Sequence, residues 1–432
     1  MTAVPTLPHL PTDGGRSTGG GSRRAWTVTA LLVVFMMVNF ADKSVLGLAA
    51  DEIRDDLHLS ATRFGLANGA FFLLFSVAAI AVGLAADRVS PKLLLLVMAL
   101  LWSVAQVPAA LGGGLGVLIA SRVLLGAAEG PAFPVAQQAT LAWFPDHRRN
   151  LPGALITLGV TLGVIVSAPG LSWVIQHHGW RAALWVLAGA GLVWAAVWKA
   201  LGADAGSRGA TTPARSAADT RGAVPYRRIF ASRTWIGVTS AYFSSYWAVA
   251  LMLVWLPSYL RNALGYSAGE AGTLVVAPWT IGAVALLAQA GITGRLMRRG
   301  VPSRRARGWV GGTLLGLGAL CCLALPLVAG AGAKTALVAV GFGLGGSYAT
   351  VAATTVAELA PPSRAGGALG GMNAVVTTAG LAAPAVVGAL VDARGTAGYE
   401  TAMVLSGLLL ALGAAASFLL VDPVRDTARM HD

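Results

Sequence analysis

The chain has 432 residues, 56% of them hydrophobic and 11% charged, with a mean hydropathy of +0.70. Soluble domains carry about 25% charged residues, so this composition excludes an ordinary soluble fold and points to a polytopic membrane protein. The net charge of +13 would suggest nucleic acid in a soluble chain; here the basic residues report topology instead, and no nucleic-acid partner is expected.

Residues 1–25 are polar and rich in Gly, Pro and Ser. They read as a disordered N-terminus without the apolar core of a cleaved signal peptide. Twelve apolar runs of about 20 residues follow, the length that spans a bilayer as helix. They lie near 26–50, 64–86, 93–111, 115–138, 151–175 and 181–201, then 234–258, 270–292, 308–328, 334–358, 365–391 and 400–421. The stretch 202–233, rich in Ala, Gly, Thr, Ser and Arg, reads as a solvated linker between two six-helix units, 26–201 and 234–421. Residues 422–432 form a short tail. The expected fold class is an all-α membrane protein with twelve transmembrane helices. Fifty-five glycines suit close helix packing in lipid.

Orientation follows from Lys and Arg. Placing both termini inside puts 23 basic residues in inner segments and six in outer ones, with Lys43 and Arg122 inside the spans. The expected location is a bacterial-type inner membrane, with both termini and the linker cytoplasmic. Asp51, Glu52, Asp55 and Asp56 make the first outer loop acidic, which reads as a solvated face. Cys321 and Cys322 are helix neighbours that read as buried thiols. No His lies in these expected runs, so no metal site or resident cofactor is expected.

Four charged side chains do lie within spans: Asp42 and Lys43 in the first, Arg122 and Glu129 in the fourth. Such a charge costs about 2.5–3.5 kcal/mol even on insertion scales, and chains keep it where it lines a path or handles ions. Rise per residue puts Asp42, Lys43 and Arg122 ~10–12 Å below the outer surface and Glu129 ~21 Å below it, one tier deeper. Arg122 and Glu129, seven residues apart, share a helix face. Two readings compete. The four could be ion pairs that lock helices together, although buried pairs add little net stability. Alternatively the cations bind an anionic substrate, and the carboxylates carry protons as the coupling ion.

Here the residues resemble a family. Twelve spans in a six-plus-six layout resemble the major facilitator superfamily, with its two six-helix bundles. Gly83-Leu-Ala-Ala-Asp87-Arg88-Val-Ser-Pro-Lys92 is similar to its signature loop between the second and third helices, a latch on the inner gate built from Gly83, Asp87, Arg88 and Lys92. In the second half, Gly294 stands where the corresponding acid belongs. Asn39-Phe40-Ala41-Asp42-Lys43, the Arg122–Gly130 stretch continuing to Trp143-Phe-Pro145, Trp255-Leu-Pro257-Ser-Tyr259 and Gly370-Gly-Met-Asn373 resemble the anion:cation symporters, which include sugar-acid carriers and sialin.

The resemblance implies roles. Asp42 and Glu129 match proton-handling acids. Arg122 matches an arginine that binds the substrate carboxylate or couples to the glutamate, and Asn373 an asparagine that contacts substrate polar groups. Lys43 stands where sugar-acid members have Arg and lacks the bidentate fork. Phe40 and Phe75 stand where those members carry Tyr, and Val160, Ala79 and Ala81 replace further polar or proline positions. A site that leaves hydroxyls unpaired discriminates against them. The expected substrate is therefore a less hydroxylated mono- or dicarboxylate, its body shaped by Tyr242, Tyr246, Trp247 and Tyr348. The expected activity is proton-coupled import by alternating access, with a small organic anion, protons and the bilayer as partners of a monomer. The alternative is a proton-coupled exporter of drugs or metabolites, echoed by Gly159, Gly163 and Ala168-Pro169-Gly170. No nucleophile, base or metal constellation suggests an enzyme.

Overall fold

Serines start four of the spans. Ser60, Ser90, Ser232 and Ser267 sit in extended backbone and accept from the N–H groups of Arg63, Leu93, Trp235 and Glu270. Each satisfies one of the donors a helix start leaves orphaned. At Ser267, Glu270 returns the bond to complete a capping box. The computed structural model describes residues 19–85, 89–145, 149–205 and 224–431. Its twelve spans are α1 (Arg23–Leu48), α2 (Ala61–Ala79), α3 (Pro91–Leu111), α4 (Leu115–Leu141), α5 (Leu151–His178), α6 (Trp180–Leu201), α7 (Arg233–Val254), α8 (Ala268–Arg298), α9 (Arg304–Leu327), α10 (Ala331–Leu359), α11 (Arg364–Arg394) and α12 (Thr396–Leu420).

Among the described residues, each expected apolar run is helical over most of its length. The first helix starts at Gly19, ahead of the expected boundary. A short helix, Tyr226–Phe230, lies within the expected linker. The expected tail also folds into a helix, Pro423–His431, docked where buried Asp426 accepts the Thr234 N–H at 2.7 Å. Arg228 Nη1 donates to Met430 O at 3.0 Å on the same surface.

α1–α6 form one bundle, with α1 on α5, α3 on α6 and α2 on α4, and α7–α12 form the second, with α9 and α7 on α12. Large apolar side chains stay exposed on the outside, among them Val104, Leu320, Leu412 and Leu419. A lipid-facing surface requires this, because the helices have already satisfied their own backbone groups.

The bundles meet through α2 on α11, α5 on α8 and α1 on α7. At the end where α1 stops and α2 starts, polar bonds close the seam. Asp392 of α11 accepts from the Ala61 and Thr62 N–H groups, each at 2.8 Å, and from the Thr62 hydroxyl at 2.6 Å. Arg261 donates to Glu52 at 2.8 Å, while Ser258 and Asn262 donate to Asp51. The acidic loop is therefore not simply a solvated face. Asp51 and Glu52 tie the bundles together, and Asp56 holds Arg181 at 2.8 Å within the first. Ser76 meets Thr377 at 2.7 Å, 15 residues along α2 and α11 respectively from the Asp392 contact. Among the described residues, no hydrogen bond or ion pair joins the bundles beyond that point.

Asp392 caps a helix N-terminus of the opposite bundle, an interaction worth about 1 kcal/mol at an exposed site. Asp392→Asn is expected to raise the population opened at this end about fivefold. Spin labels at Asp55 and Ala393, with the native cysteines replaced by Ala, would show it as a longer distance component. An unchanged distance distribution would mean the cap does not bias the closure.

Candidate functional site

Asn39 and Lys43 lie four residues apart on one face of α1. α4 breaks after Glu129 because Gly130-Pro131 follows and proline has no N–H to continue the ladder. Gly126 and Gly130 then let α2 cross at backbone distance. A Cβ on either would fall 1.7 Å from Phe71 O or 2.1 Å from Phe75 O. That crossing lays the aromatic run of α2 over the charged ends of α1 and α4.

Lys43 Nζ donates to Glu129 Oε2 at 2.5 Å and to Asn39 Oδ1 at 2.5 Å. The rings of Phe40, Phe71 and Phe75 surround the ammonium at 4.7, 5.4 and 5.9 Å. These contacts favour the cation over an uncharged occupant. Lys43 folds back along α1 onto Asn39, toward the deeper tier, and meets the Glu129 carboxylate there, so the ion pair falls to Lys43 rather than Arg122.

Arg122 is 3% exposed, with its guanidinium 5.7 Å from the Phe71 ring. Among the described residues it makes no hydrogen bond. It lines a small cavity with Lys43, Asn68, Phe71 and Phe72, faced from the second bundle by Ala250, Leu253 and Val254. The Asn68 amide nitrogen is buried there without a partner. Two cations and an amide donor thus face an apolar wall across a cavity of about 20 Å³, and as donors they suit an anionic head.

Asp42 is fully buried and turned toward α3, where Gln106 Nε2 donates to Oδ1 at 3.1 Å. It stands beside the Lys43–Glu129 pair rather than in its hydrogen-bond network, and its Oδ2 has no partner. Across the seam, Tyr246 packs against Phe72 at 5.9 Å and Tyr242 against Tyr246 at 6.2 Å. Trp279 of α8 meets Phe40 at 6.3 Å. Asn373 is exposed one turn before Thr377, on the side of the Ser76–Thr377 contact away from the Asp392 seam.

Two expected pocket residues belong elsewhere. Trp247 donates to Ser406 and Tyr348 bonds to Ser417, so both fill the core of the second bundle. Gly159 and Gly163 pack on the α1 backbone at Val33 and Met37, which accounts for them without an antiport motif. Asp87 and Arg88 of the gating signature lie outside the described residues, and Gly83 lies in the helical extension of α2. Lys92 sits in the first turn of α3, and its N–H donates to Asp204 at 2.8 Å. Asn68, Gln106 and Asp204 were missed from sequence. A lone amide in an apolar run, or an acid in a linker, carries too weak a signal.

Twelve membrane-spanning helices in two bundles, joined over a buried charged centre, define a polytopic membrane transporter. The sequence model described as Major Facilitator Superfamily matches residues 32–355, and the chain belongs to that superfamily. The chain is 28% identical over 409 residues to the "Probable sulfoacetate transporter" of Cupriavidus necator, covering 92% of this chain and 94% of that one. It is 28% identical to the "Hexuronate transporter" of Bacillus subtilis, covering 91% and 94%. It is 25% identical to the "D-galactonate transporter" of Escherichia coli, covering 93% and 97%. Among solved structures, a bacterial homolog of the human lysosomal transporter Spinster, inward-facing and unoccupied, superposes with a TM-score of 0.78 at 17% identity. That match covers 94% of this chain and 98% of the other, and shows the shared fold.

Proposed function

We propose that this protein imports a small, sparsely hydroxylated organic anion in symport with protons. The observation that carries the reading is the pairing of Lys43 with Glu129 beside an Arg122 that has no hydrogen-bond partner. One cation is held by an acid that can release it, and the other waits in the cavity. A proton on Glu129 removes the charge that holds Lys43. The substrate anion then takes both Arg122 and Lys43, with the Asn68 amide as a further donor. Asp42, held by Gln106, is the second acid of the proposal, and Asn373 a later contact on the path beyond the Ser76–Thr377 contact.

The basic-residue asymmetry supports placing the end beyond the Ser76–Thr377 contact in the cytoplasm, with the Asp392 seam as the outer gate. The relatives named for sulfoacetate, hexuronate and galactonate support an organic-anion cargo. The facing wall of Ala250, Leu253 and Val254, with Phe40 and Phe75 nearby, supports the sparsely hydroxylated end of that range. Hydroxyls pressed against it would lose water without gaining partners.

Purified protein in liposomes, given an inward proton gradient, is expected to accumulate short aliphatic carboxylates or sulfonates. Accumulation of no organic anion under the gradient would end the reading, and outward-directed exchange would replace import with export. A thermal-shift series supplies the specificity test. Sparsely hydroxylated anions are expected to raise the unfolding temperature at concentrations where galactonate does not, because a ligand that binds the folded state stabilises it by mass action. A larger shift with galactonate would contradict the apolar-wall argument.

A further inference from the structure

α8 and α9 diverge from a shared basic end. Thr293 Oγ1 donates to Ala306 O at 2.9 Å and ties the two helices there. Away from that tie they open into a groove of about 570 Å³, floored by Leu344 of α10 and walled by Ile281, Ala288 and Ile292 of α8 and Val310 and Leu314 of α9. The groove is separate from the central cavity. Trp279 of α8 faces the other bundle through Phe40, and Ala288, nine residues on, lies on the opposite side of that helix. Exposed Val284, Leu287 and Leu317 continue the apolar surface around it.

Two independent features make this more than an apolar groove. Gln289, which also lines it, is 2% exposed, and neither its amide nitrogen nor its amide oxygen has a partner. Leaving a buried polar group unpaired costs about 1–3 kcal/mol, so the position calls for a ligand. The tied end, one to two turns beyond Ile292 of the groove, is also strongly basic. Between residues 271 and 357 the sequence has no Asp or Glu, yet it carries Arg295, Arg298, Arg299, Arg304, Arg305 and Arg307. Arg307 is taken by Glu358, and Arg304 lies 3.8 Å from Asp422. Among the described residues, the exposed Arg295, Arg298, Arg299 and Arg305 have no carboxylate partner.

We infer that the α8–α9 groove is a binding site for an anionic phospholipid. The phosphate lies on the arginines of the tied end, one acyl chain fills the groove, and an ester carbonyl accepts from the Gln289 amide. The charge specifies an anionic headgroup, because a zwitterionic lipid brings its own cation to a surface that already has four unpaired ones.

Native mass spectrometry of the full-length protein with phosphatidylglycerol and phosphatidylcholine of matched acyl chains tests this. One tight phosphatidylglycerol adduct is expected, with phosphatidylcholine much weaker. Arg298→Gln with Arg299→Gln is expected to weaken phosphatidylglycerol binding about 25-fold, about fivefold per arginine, and to leave phosphatidylcholine unchanged. Ala288→Trp, which fills the groove, is expected to remove the tight adduct. Gln289→Leu is expected to weaken both lipids about fivefold without lowering the unfolding temperature. Equal affinity of the native protein for the two lipids would overturn the proposal. Undiminished phosphatidylglycerol binding in the double arginine variant would overturn it as well.

Discussion

Glutamine in place of Glu129 is expected to abolish gradient-driven accumulation of the substrate while substrate exchange across the membrane continues. The side chain keeps its length and can still accept from Lys43, so the geometry around the ammonium survives. What is lost is the change of charge. Glu129 holds Lys43 at 2.5 Å inside a sleeve of three phenylalanine rings. In that surrounding the ion pair is shielded little by solvent, and removing one of its charges matters more than it would at the surface. Glutamine mimics the protonated acid permanently. Lys43 remains available to the anion, and the loaded carrier can shuttle in both directions, but no proton is moved. Accumulation is expected to fall to the level reached without a proton gradient, because a carrier that moves no proton can only equilibrate its substrate. Counterflow, measured with labelled substrate on one side and unlabelled on the other, is expected to persist. Accumulation at the native level in Glu129→Gln would remove Glu129 from the coupling role. Running Asp42→Asn in parallel shows whether the acid held by Gln106 shares the work or only supports the helix contact.

The twelve spans were legible because bilayer thickness leaves few alternatives for an apolar run of that length. The four buried charges were legible for a related reason: their cost makes them conspicuous. Their pairing was not. Depth along a straight helix put Glu129 a tier below Lys43, but Lys43 folds back along α1 onto Asn39 and meets the acid there, and the break at Gly130-Pro131 fixes the acid at a helix end. The aromatic residues of the second half show a further limit. Tyr246 faces the seam, whereas Trp247, the next residue, enters the bundle core. Composition marks both as buried aromatics, and only the helix rotation tells them apart. Asp51 and Glu52 looked like a solvated loop because their partners, Ser258, Arg261 and Asn262, lie more than 200 residues away in the chain.

Arg122 decides between the two readings of the buried charges. If the charges mainly lock helices, Arg122 should hold a carboxylate, yet the carboxylate at hand is bonded to Lys43 and Arg122 lines the cavity. Arg122→Gln is therefore expected to weaken substrate binding about 100-fold, in line with about 2–3 kcal/mol for a charge-assisted hydrogen bond. The unfolding temperature of the empty protein should change little, because the cost of burying the guanidinium offsets its attraction to Glu129 and Asp42. Arg122→Lys is expected to recover only part of the affinity, since an ammonium restores the charge without the planar fork that grips both oxygens of an anion. Lys43→Arg asks the converse question at the neighbouring position, where added bidentate capacity should change affinity or selectivity if that residue touches the substrate. Calorimetry on the folded variants separates these outcomes. Native affinity in Arg122→Gln together with a marked loss of thermal stability would identify the arginine as a structural lock. The anion site would then have to be sought nearer Asn373, beyond the Ser76–Thr377 contact.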